Sequence, residues 1–275
     1  MKFASLLLAA VLPFAGVGYL LADPPAAKPA APKEMVFSGS IETATVEIRP
    51  RVTGTLEKVF VKEGQLVKKG DLLAEIDPRT FRVRLEEAQA RMQVALASLK
   101  VSTASMERLK AAAQKGVVSK EDVDLAIAER DKSQADVDVH KAVLDAARLD
   151  LSFTGLTSPM DGRIGRFRET VGNLMTADGP PLVTVLATDP VFVAFDMEEK
   201  SFLKLRRDGF PGDGNPKADF GLIDEEGFPH HAVIDFIDPQ LDPKTGRARI
   251  RGVAPNPSGL LLGGMSVRVR LVLGK

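Results

Sequence analysis

Between residues 85 and 113 the small and apolar positions recur in alternating steps of three and four, through Leu85, Ala88, Met92, Ala95, Leu99, Ser102, Met106, Leu109 and Ala113. An unbroken alternation of this kind is the narrow seam of a coiled coil rather than a broad globular face, so it predicts a long helix. A second run keeps the same steps through Val123, Ala126, Arg130, Ser133, Val137, His140, Leu144, Ala147 and Leu151. Arg130 and His140 are poor seam residues, expected at its edge. Asp77 followed by Pro78 suits an N-cap and first-turn pair, Gly116 suits a C-terminal cap, and Ser119 with Asp122 three residues on has the form of a capping box. Residues 78–153 are therefore predicted to form two helices folded back on each other about a turn at 115–119. Many seam residues are small, which lets the arms approach closely. The first arm has an excess of Lys and Arg and the second an excess of Asp and Glu. Each exposed pair between them contributes only about 0.2 to 1 kcal/mol. At about 1.5 Å per residue, an arm of roughly 35 residues reaches about 50 Å, more than a small globular core requires.

On either side of this segment the pattern changes to short strands with Gly-centred turns. A strand-like piece at 35–48 leads into Val52-Thr53-Gly54-Thr55-Leu56, then Val59 and Val61 alternating with polar neighbours, then Glu63-Gly64-Gln65-Leu66-Val67 and an apolar run at 72–76. Beyond the arms, Asp161-Gly162-Arg163-Ile164, Thr170-Val171-Gly172-Asn173-Leu174 and an apolar run at 182–186 follow in the same order. In both copies two glycines stand ten positions apart, Gly54 with Gly64 and Gly162 with Gly172, which marks an internal repeat.

Composition narrows the function classes. The chain of 275 residues is 44% hydrophobic and 27% charged, which places it among folded proteins with room for two or three small domains. Lys plus Arg equals Asp plus Glu at 37 each and aromatic residues make up 5%, so no global field recruits nucleic acid. The absence of cysteine excludes disulfides, thiolate metal sites, a thiol nucleophile and a lipid-modified N-terminal cysteine. Lys2 precedes an apolar run at 6–21 interrupted by Pro13 and Gly16, and Ala22 comes just before Asp23-Pro24-Pro25. Residues 1–22 thus have the layout of a secretory signal or an N-terminal anchor, and the run falls short of the about 20 residues that span a bilayer. Residues 23–33, almost all Pro, Ala and Lys, form a linker with too little apolar bulk to pack.

The two flanking halves resemble a split biotinyl/lipoyl-type β-sandwich. The hairpin between them resembles that of the periplasmic adaptor subunits, or membrane fusion proteins, of resistance-nodulation-division (RND) multidrug efflux pumps. The likeness runs over about residues 39–273 and continues in Asp189-Pro190-Val191-Phe192-Val193-Ala194-Phe195-Asp196, in Asp242-Pro243-Lys244-Thr245-Gly246 with Arg249-Ile250-Arg251, and in Gly264-Met265-Ser266-Val267-Arg268-Val269-Arg270-Leu271, which resemble the family's β-barrel. Independently of the family, Val267, Val269, Leu271 and Leu273 alternate with Arg268, Arg270 and Val272, as in a half-buried barrel strand. The resemblance implies an α+β, mainly β fold: a split lipoyl-like β-sandwich interrupted by a long antiparallel α-helical coiled-coil hairpin and followed by a β-barrel. The implied segments are a strand at 34–47 leading from the barrel or from a remnant membrane-proximal region, sandwich halves at 48–77 and 154–187, the hairpin at 78–153 and the barrel at 188–275. Family members usually continue into a membrane-proximal domain built from both chain ends, expected here to be absent or truncated, since the sequence stops just after the barrel strand.

Function is implied by the same resemblance. The chain is expected in the periplasm, associated with the inner membrane, as an adaptor between an inner-membrane proton-driven transporter and an outer-membrane channel, with copies of itself joined in an oligomer, a hexamer by resemblance. The family's hairpin tip carries an Arg, a Leu four positions on, a Ser seven beyond it and an Asp ten further. Arg108 and Ser119 match, Ala112 replaces the Leu and Glu129 replaces the Asp. Arg108, Ser119 and Glu129 are thus the implied channel contacts. Capping alone accounts fully for Ser119, and a solvated charge accounts equally well for Arg108.

An adaptor for an ATP-driven exporter shares the same modules. A secreted coiled-coil protein without a transport role is a third reading, and a biotinyl or lipoyl carrier a fourth. The carrier reading lacks its attachment lysine, because the junction between the halves holds the arms instead. His230 and His231 are strand neighbours that point to opposite faces, with no second ligand pair at metal-site spacing. Asp161-Gly162 suits a tight turn, and Glu225-Glu226 a solvated one. No P-loop, Gly-x-Ser-x-Gly elbow or His-Glu-x-x-His helix occurs. No enzyme activity, metal or cofactor is expected.

Overall fold

The computed structural model describes residues 35–207, 209–210 and 216–272. The signal or anchor at 1–22, the linker at 23–33 and Leu273 lie outside the described residues.

In chain order, β1 (Val36–Glu42) belongs to a barrel, and β2 (Thr45–Ile48), β3 (Gly54–Val59), β4 (Leu66–Val67) and β5 (Leu72–Ile76) belong to a sandwich. Two long helices follow, α1 (Arg79–Gln114) and α2 (Lys120–Ser152). The chain then returns to the sandwich as β6 (Gly155–Thr157), β7 (Gly162–Ile164), β8 (Leu174–Met175) and β9 (Val183–Leu186). The barrel is completed by β10 (Val191–Glu198), a short helix α3 (Glu199–Arg207), β11 (Lys217–Leu222), β12 (His230–Asp242), β13 (Arg247–Ala254) and β14 (Ser266–Val272).

The sandwich is a pair of matched four-stranded sheets, ordered β2-β9-β7-β4 and β6-β5-β3-β8. The repeat superimposes one order on the other, β2 with β6, β9 with β5, β7 with β3 and β4 with β8. Each half lends its two-residue strand to the other half's sheet: β4 pairs with β7, and β8 with β3. Backbone hydrogen bonds repeat this exchange. The Gly64 N–H donates to the Ile164 carbonyl at 2.8 Å, and the equivalent Gly172 N–H donates to the Leu56 carbonyl at 2.9 Å. In return the Leu56 N–H donates to Asn173 and the Ile164 N–H to Gln65, both at 2.9 Å. Gly64 and Gly172 both sit at positive φ, +76° and +98°, where a side chain is disfavoured. Between the sheets lies one shared core from both halves, with Leu56, Leu73, Ile76, Leu182, Val183 and Val185 fully buried.

Gly162 opens a strand rather than the tight turn expected of Asp161-Gly162. A Cβ there would stand 2.4 Å from the Leu186 carbonyl oxygen, so glycine is needed for the close approach of β7 to β9. The Asp161 carboxylate accepts the Lys69 N–H at 2.7 Å, another tie between the halves.

The helical arms leave and return through neighbouring strands. β5 and β6 are antiparallel partners, with Leu72 opposite Thr157, Ala74 opposite Leu156 and Glu75 opposite Gly155. In topology the arms are an enlarged β-hairpin loop. Phe81 is buried in the sandwich core, with Leu151 and Phe153 packed against it, which anchors the root. Pro78, expected in the first turn, is itself the N-cap of α1, its carbonyl accepting the Arg82 N–H at 2.9 Å, while Asp77, expected as the cap, stands one residue before it and accepts the Arg79 N–H at 3.0 Å. Hydrogen bonds from the Arg79 side chain, then from its N–H, lower the Asp77 carboxyl from 3.8 to about 2. A depressed carboxyl stabilises the fold above its unfolded value and loses that contribution as pH falls through its folded value. Helicity followed by circular dichroism during heating is therefore expected to weaken between pH 4 and pH 2 more in the native chain than in Asp77→Asn.

The barrel closes in the order β1-β10-β13-β12-β11-β14. The strand expected at 34–47 is thus divided: β1 lies between β10 and β14 in the barrel, and β2 lies in the sandwich. Val267, Val269 and Leu271 point into the barrel core with Phe195, Phe220 and Ile250, while Arg270 pairs outside with Asp219 at 2.9 Å. Leu205 of α3 is fully buried in the same core.

Candidate functional site

The arms carry the candidate site, and their local sequence explains their shape. Every seam position named from periodicity is buried or half-buried, while most positions between them are exposed. At the distal end α1 stops in a Schellman motif. The Gly116 N–H donates to Ala113 at 2.9 Å and the Val117 N–H to Ala112 at 3.1 Å, with Gly116 at φ +70°. The return helix starts three residues later. Ser119 Oγ accepts the Asp122 N–H at 3.1 Å, and Asp122 Oδ2 accepts the Ser119 N–H at 3.0 Å and its hydroxyl at 2.6 Å. These two bonds from Ser119, hydroxyl first, hold the Asp122 carboxyl below its ordinary value.

The three implied contact residues are all exposed, and they do not gather into one pocket. Ser119 caps the apex, Arg108 lies on α1 about 10 Å below it, and Glu129 lies on α2 about 15 Å below it, at about 1.5 Å per residue. Glu129 is 3.9 Å from Lys132. Periodicity passed over one further residue, Val117, which is 73% exposed in the apical turn. Its signal was an apolar side chain between a glycine and a cap, where packing requires none.

Arg130 and His140, expected near the seam's edge, are less buried than the seam residues Ser133, Val137 and Leu144. Both are half-buried, and Arg130 Nε and His140 Nδ1 are buried without a hydrogen-bond partner. Their seam neighbours Ser133 and Val137 are buried. Arg130 keeps contact with solvent through its guanidinium, which pairs with Asp131 at 3.1 Å. A buried unsatisfied donor costs about 1 to 3 kcal/mol. Arg130→Leu is therefore expected to raise arm stability by about 1 kcal/mol, read as a higher melting temperature.

On the barrel, the two neighbouring histidines engage different carboxylates. His231 Nδ1 is 2.7 Å from Asp219, and His230 Nε2 is 2.9 Å from Glu225. Burial alone would raise the Asp219 carboxyl, but hydrogen bonds from Arg270 and His231 outweigh it and hold it below its ordinary value. Glu225 departs from the solvated turn expected of Glu225-Glu226. It accepts the Leu222 N–H at 2.8 Å and, with His230, ties the 223–229 turn to β12, which holds its carboxyl low. Glu226 is exposed. Among the described residues no three such side chains gather as a metal site, and no helix is long and apolar enough to cross a membrane.

Comparison with known proteins places both modules. Residues 44–186 match the family model for the RND membrane fusion protein barrel-sandwich hybrid domain, and residues 190–275 match the RND membrane fusion protein β-barrel domain. The multidrug efflux pump subunit AcrA of Escherichia coli K12 is 33% identical over 83% of this chain, and the multidrug resistance protein MdtE of the same strain is 32% identical over 80%. The toluene efflux pump periplasmic linker protein TtgA of Pseudomonas putida is 34% identical over 83%. The aligned region spans 59% of the length of AcrA and MdtE and 58% of TtgA. Among solved structures, a MacA–MexA chimera carrying the Pseudomonas aeruginosa MexA α-hairpin domain aligns with a TM-score of 0.61 and 27% identity, over 88% of this chain and 83% of the other.

Proposed function

Because the chain belongs to the membrane fusion proteins of RND efflux pumps, we propose that it is a periplasmic adaptor linking an inner-membrane proton-driven transporter to an outer-membrane channel in a tripartite drug efflux pump. One observation carries this reading: the lipoyl-like sandwich emits two helices of 36 and 33 residues from adjacent strands, which makes a stiff antiparallel coiled-coil arm about 50 Å long on a rigid base. The work of such a part is mechanical. It sets a spacing, seals a conduit and passes conformational change along it, while the transporter supplies the energy.

The outer face of the arm supports assembly with copies of itself. Val83, Val94 and Val101, spaced by 11 and 7 positions, stand on the side of α1 away from its seam and are 64%, 72% and 69% exposed. Leu125, Val139 and Val143 are exposed on α2. Apolar stripes outside the seam suit side-by-side packing of arms into a tube, with Arg108, Ser119, Glu129 and Val117 presented to the channel. An adaptor for an ATP-driven exporter fits less well, since both matching family models are those of RND partners.

Cysteine substitution at positions 108 and 119 tests the reading, because the chain has no cysteine of its own. Cross-linking from both positions to an outer-membrane channel protein in intact cells is expected, together with restored resistance to dyes and detergents in a strain lacking its own pumps. A well-expressed chain that neither cross-links nor alters resistance would overturn the assignment.

A further inference from the structure

The barrel has two unlike ends, and the one remote from the sandwich is basic. Strand register defines that end: β1 starts there, with Val36 opposite Arg270, β10 ends there, with Glu198 opposite Arg247, and β11 starts there, with Lys217 opposite Val272. Helix α3 follows β10 directly and covers it. Leu205 is buried in the core and Phe202 packs against it, which turns Lys200, Leu203, Lys204 and Arg207 outward. Among the described residues Arg206, Lys217 and Arg247 are exposed at the same end, against the acids Glu198, Glu199 and Asp242, and the chain joining α3 to β11 adds Asp208 and Asp213 in sequence. Of these, Asp242 is occupied by the Lys244 and Thr245 N–H groups at 2.7 and 3.1 Å. At the opposite end the 223–229 turn carries Asp224, Glu225 and Glu226, so the polarity is not a uniform surface charge.

We propose that the outward face of α3, built from Lys200, Leu203, Lys204 and Arg207, docks on an anionic phospholipid surface. Two things on the molecule select a bilayer as the occupant. Cations flank a single apolar side chain, Leu203, that is 44% exposed, so this face offers positive charge to anionic headgroups and one side chain that can insert between them. The residues preceding β1 join the barrel at this same end, and they include the apolar run at 6–21, separated from β1 by residues 22–35, which span at most about 50 Å when fully extended. A bilayer reached by that run is thus within reach of α3. The attraction needs close approach, because the field of an anionic surface decays over about 8 Å at physiological salt. The proposal requires that the chain lie beside a bilayer, but it requires neither transporter nor channel, so its test stands apart from the adaptor assignment.

The absence of cysteine gives a direct readout. The full chain carrying Leu203→Cys, labelled with an environment-sensitive fluorophore, is mixed with vesicles of phosphatidylglycerol and phosphatidylcholine or of phosphatidylcholine alone. A blue shift is expected with the anionic vesicles, reversed by high salt, and no shift with the neutral ones. A label at Val117→Cys, at the far end of the arm, is expected to stay unchanged in both. Lys200→Glu/Lys204→Glu/Arg207→Glu on the labelled background is expected to lower partitioning onto anionic vesicles at least about a hundredfold. The milder Lys200→Gln/Lys204→Gln pair, checked by an unchanged melting temperature, is expected to lower it at least about tenfold. If the chain sediments with anionic vesicles while the label at 203 stays in water, or if both charge variants bind as the native chain does, attachment comes from the N-terminal run and α3 has no part in it. Failure of all vesicles to shift the label would equally overturn the proposal.

Discussion

Replacement of residues 79–152 by a short polar turn is expected to leave a folded protein with no remaining contribution to efflux. The fold survives because β5 and β6 already pair along Leu72–Thr157 and Glu75–Gly155, so a tight connection closes the same ladder. Two terms oppose each other. Loss of Phe81 from the sandwich core costs about 3 to 5 kcal/mol, and shortening the connection by about four doublings of length returns about 2.5 kcal/mol. The net loss of about 0.5 to 2.5 kcal/mol lowers the melting temperature without preventing folding, as circular dichroism and thermal melts would register. Drug sensitivity of a pump-deficient strain carrying the shortened chain should equal that of the empty strain. If the armless chain restored resistance, a bridging role for the arm would be wrong.

Leu56→Ala is expected to destabilise the whole sandwich by about 2 to 5 kcal/mol, the range for emptying a fully buried leucine site. Leu56 has no exposure, and its backbone exchanges two hydrogen bonds with Gly172 and Asn173 of the other half. Hydrogen exchange should therefore accelerate at residues 162–186, distant in sequence, as much as at 54–76. Acceleration confined to 54–76 would mean that the halves open independently. Ile164→Ala, at the equivalent place in the second copy, should reproduce the pattern.

The arms are the most legible part of the sequence, because a seam imposes one repeating step over thirty-odd residues and the caps at Gly116 and Ser119 each obey a local rule. The sandwich was half legible. Paired glycines disclosed two copies, but β4 and β8 have two residues each, too short for any periodicity, so the exchange between halves left no pattern to read. The assignment of β1 to the barrel was hidden for a different reason: its partner β14 lies at the other end of the chain. Arg130 and His140 are half-buried, as the rule that charge avoids the centre of a seam requires, but their buried unpartnered nitrogens leave no trace in the periodicity. Helix α3 carries its basic face on nine residues, too few for a helical period to stand out from the strands around it. The contacts proposed at Arg108, Ser119 and Glu129 would depend on a surface belonging to another molecule, which leaves no mark on burial within this one.

The exchange of two-residue strands also sets a timetable for folding. The arms close from neighbours in sequence and form early, whereas the first half of the sandwich has no complete sheet until Met175 arrives, and the barrel has no closure until β14 meets β1. For most of its synthesis or export the chain exposes unpaired strand edges while its longest helices are already formed. A holding chaperone would find its substrate in those waiting strands, and aggregation at slow export should begin there rather than in the arms.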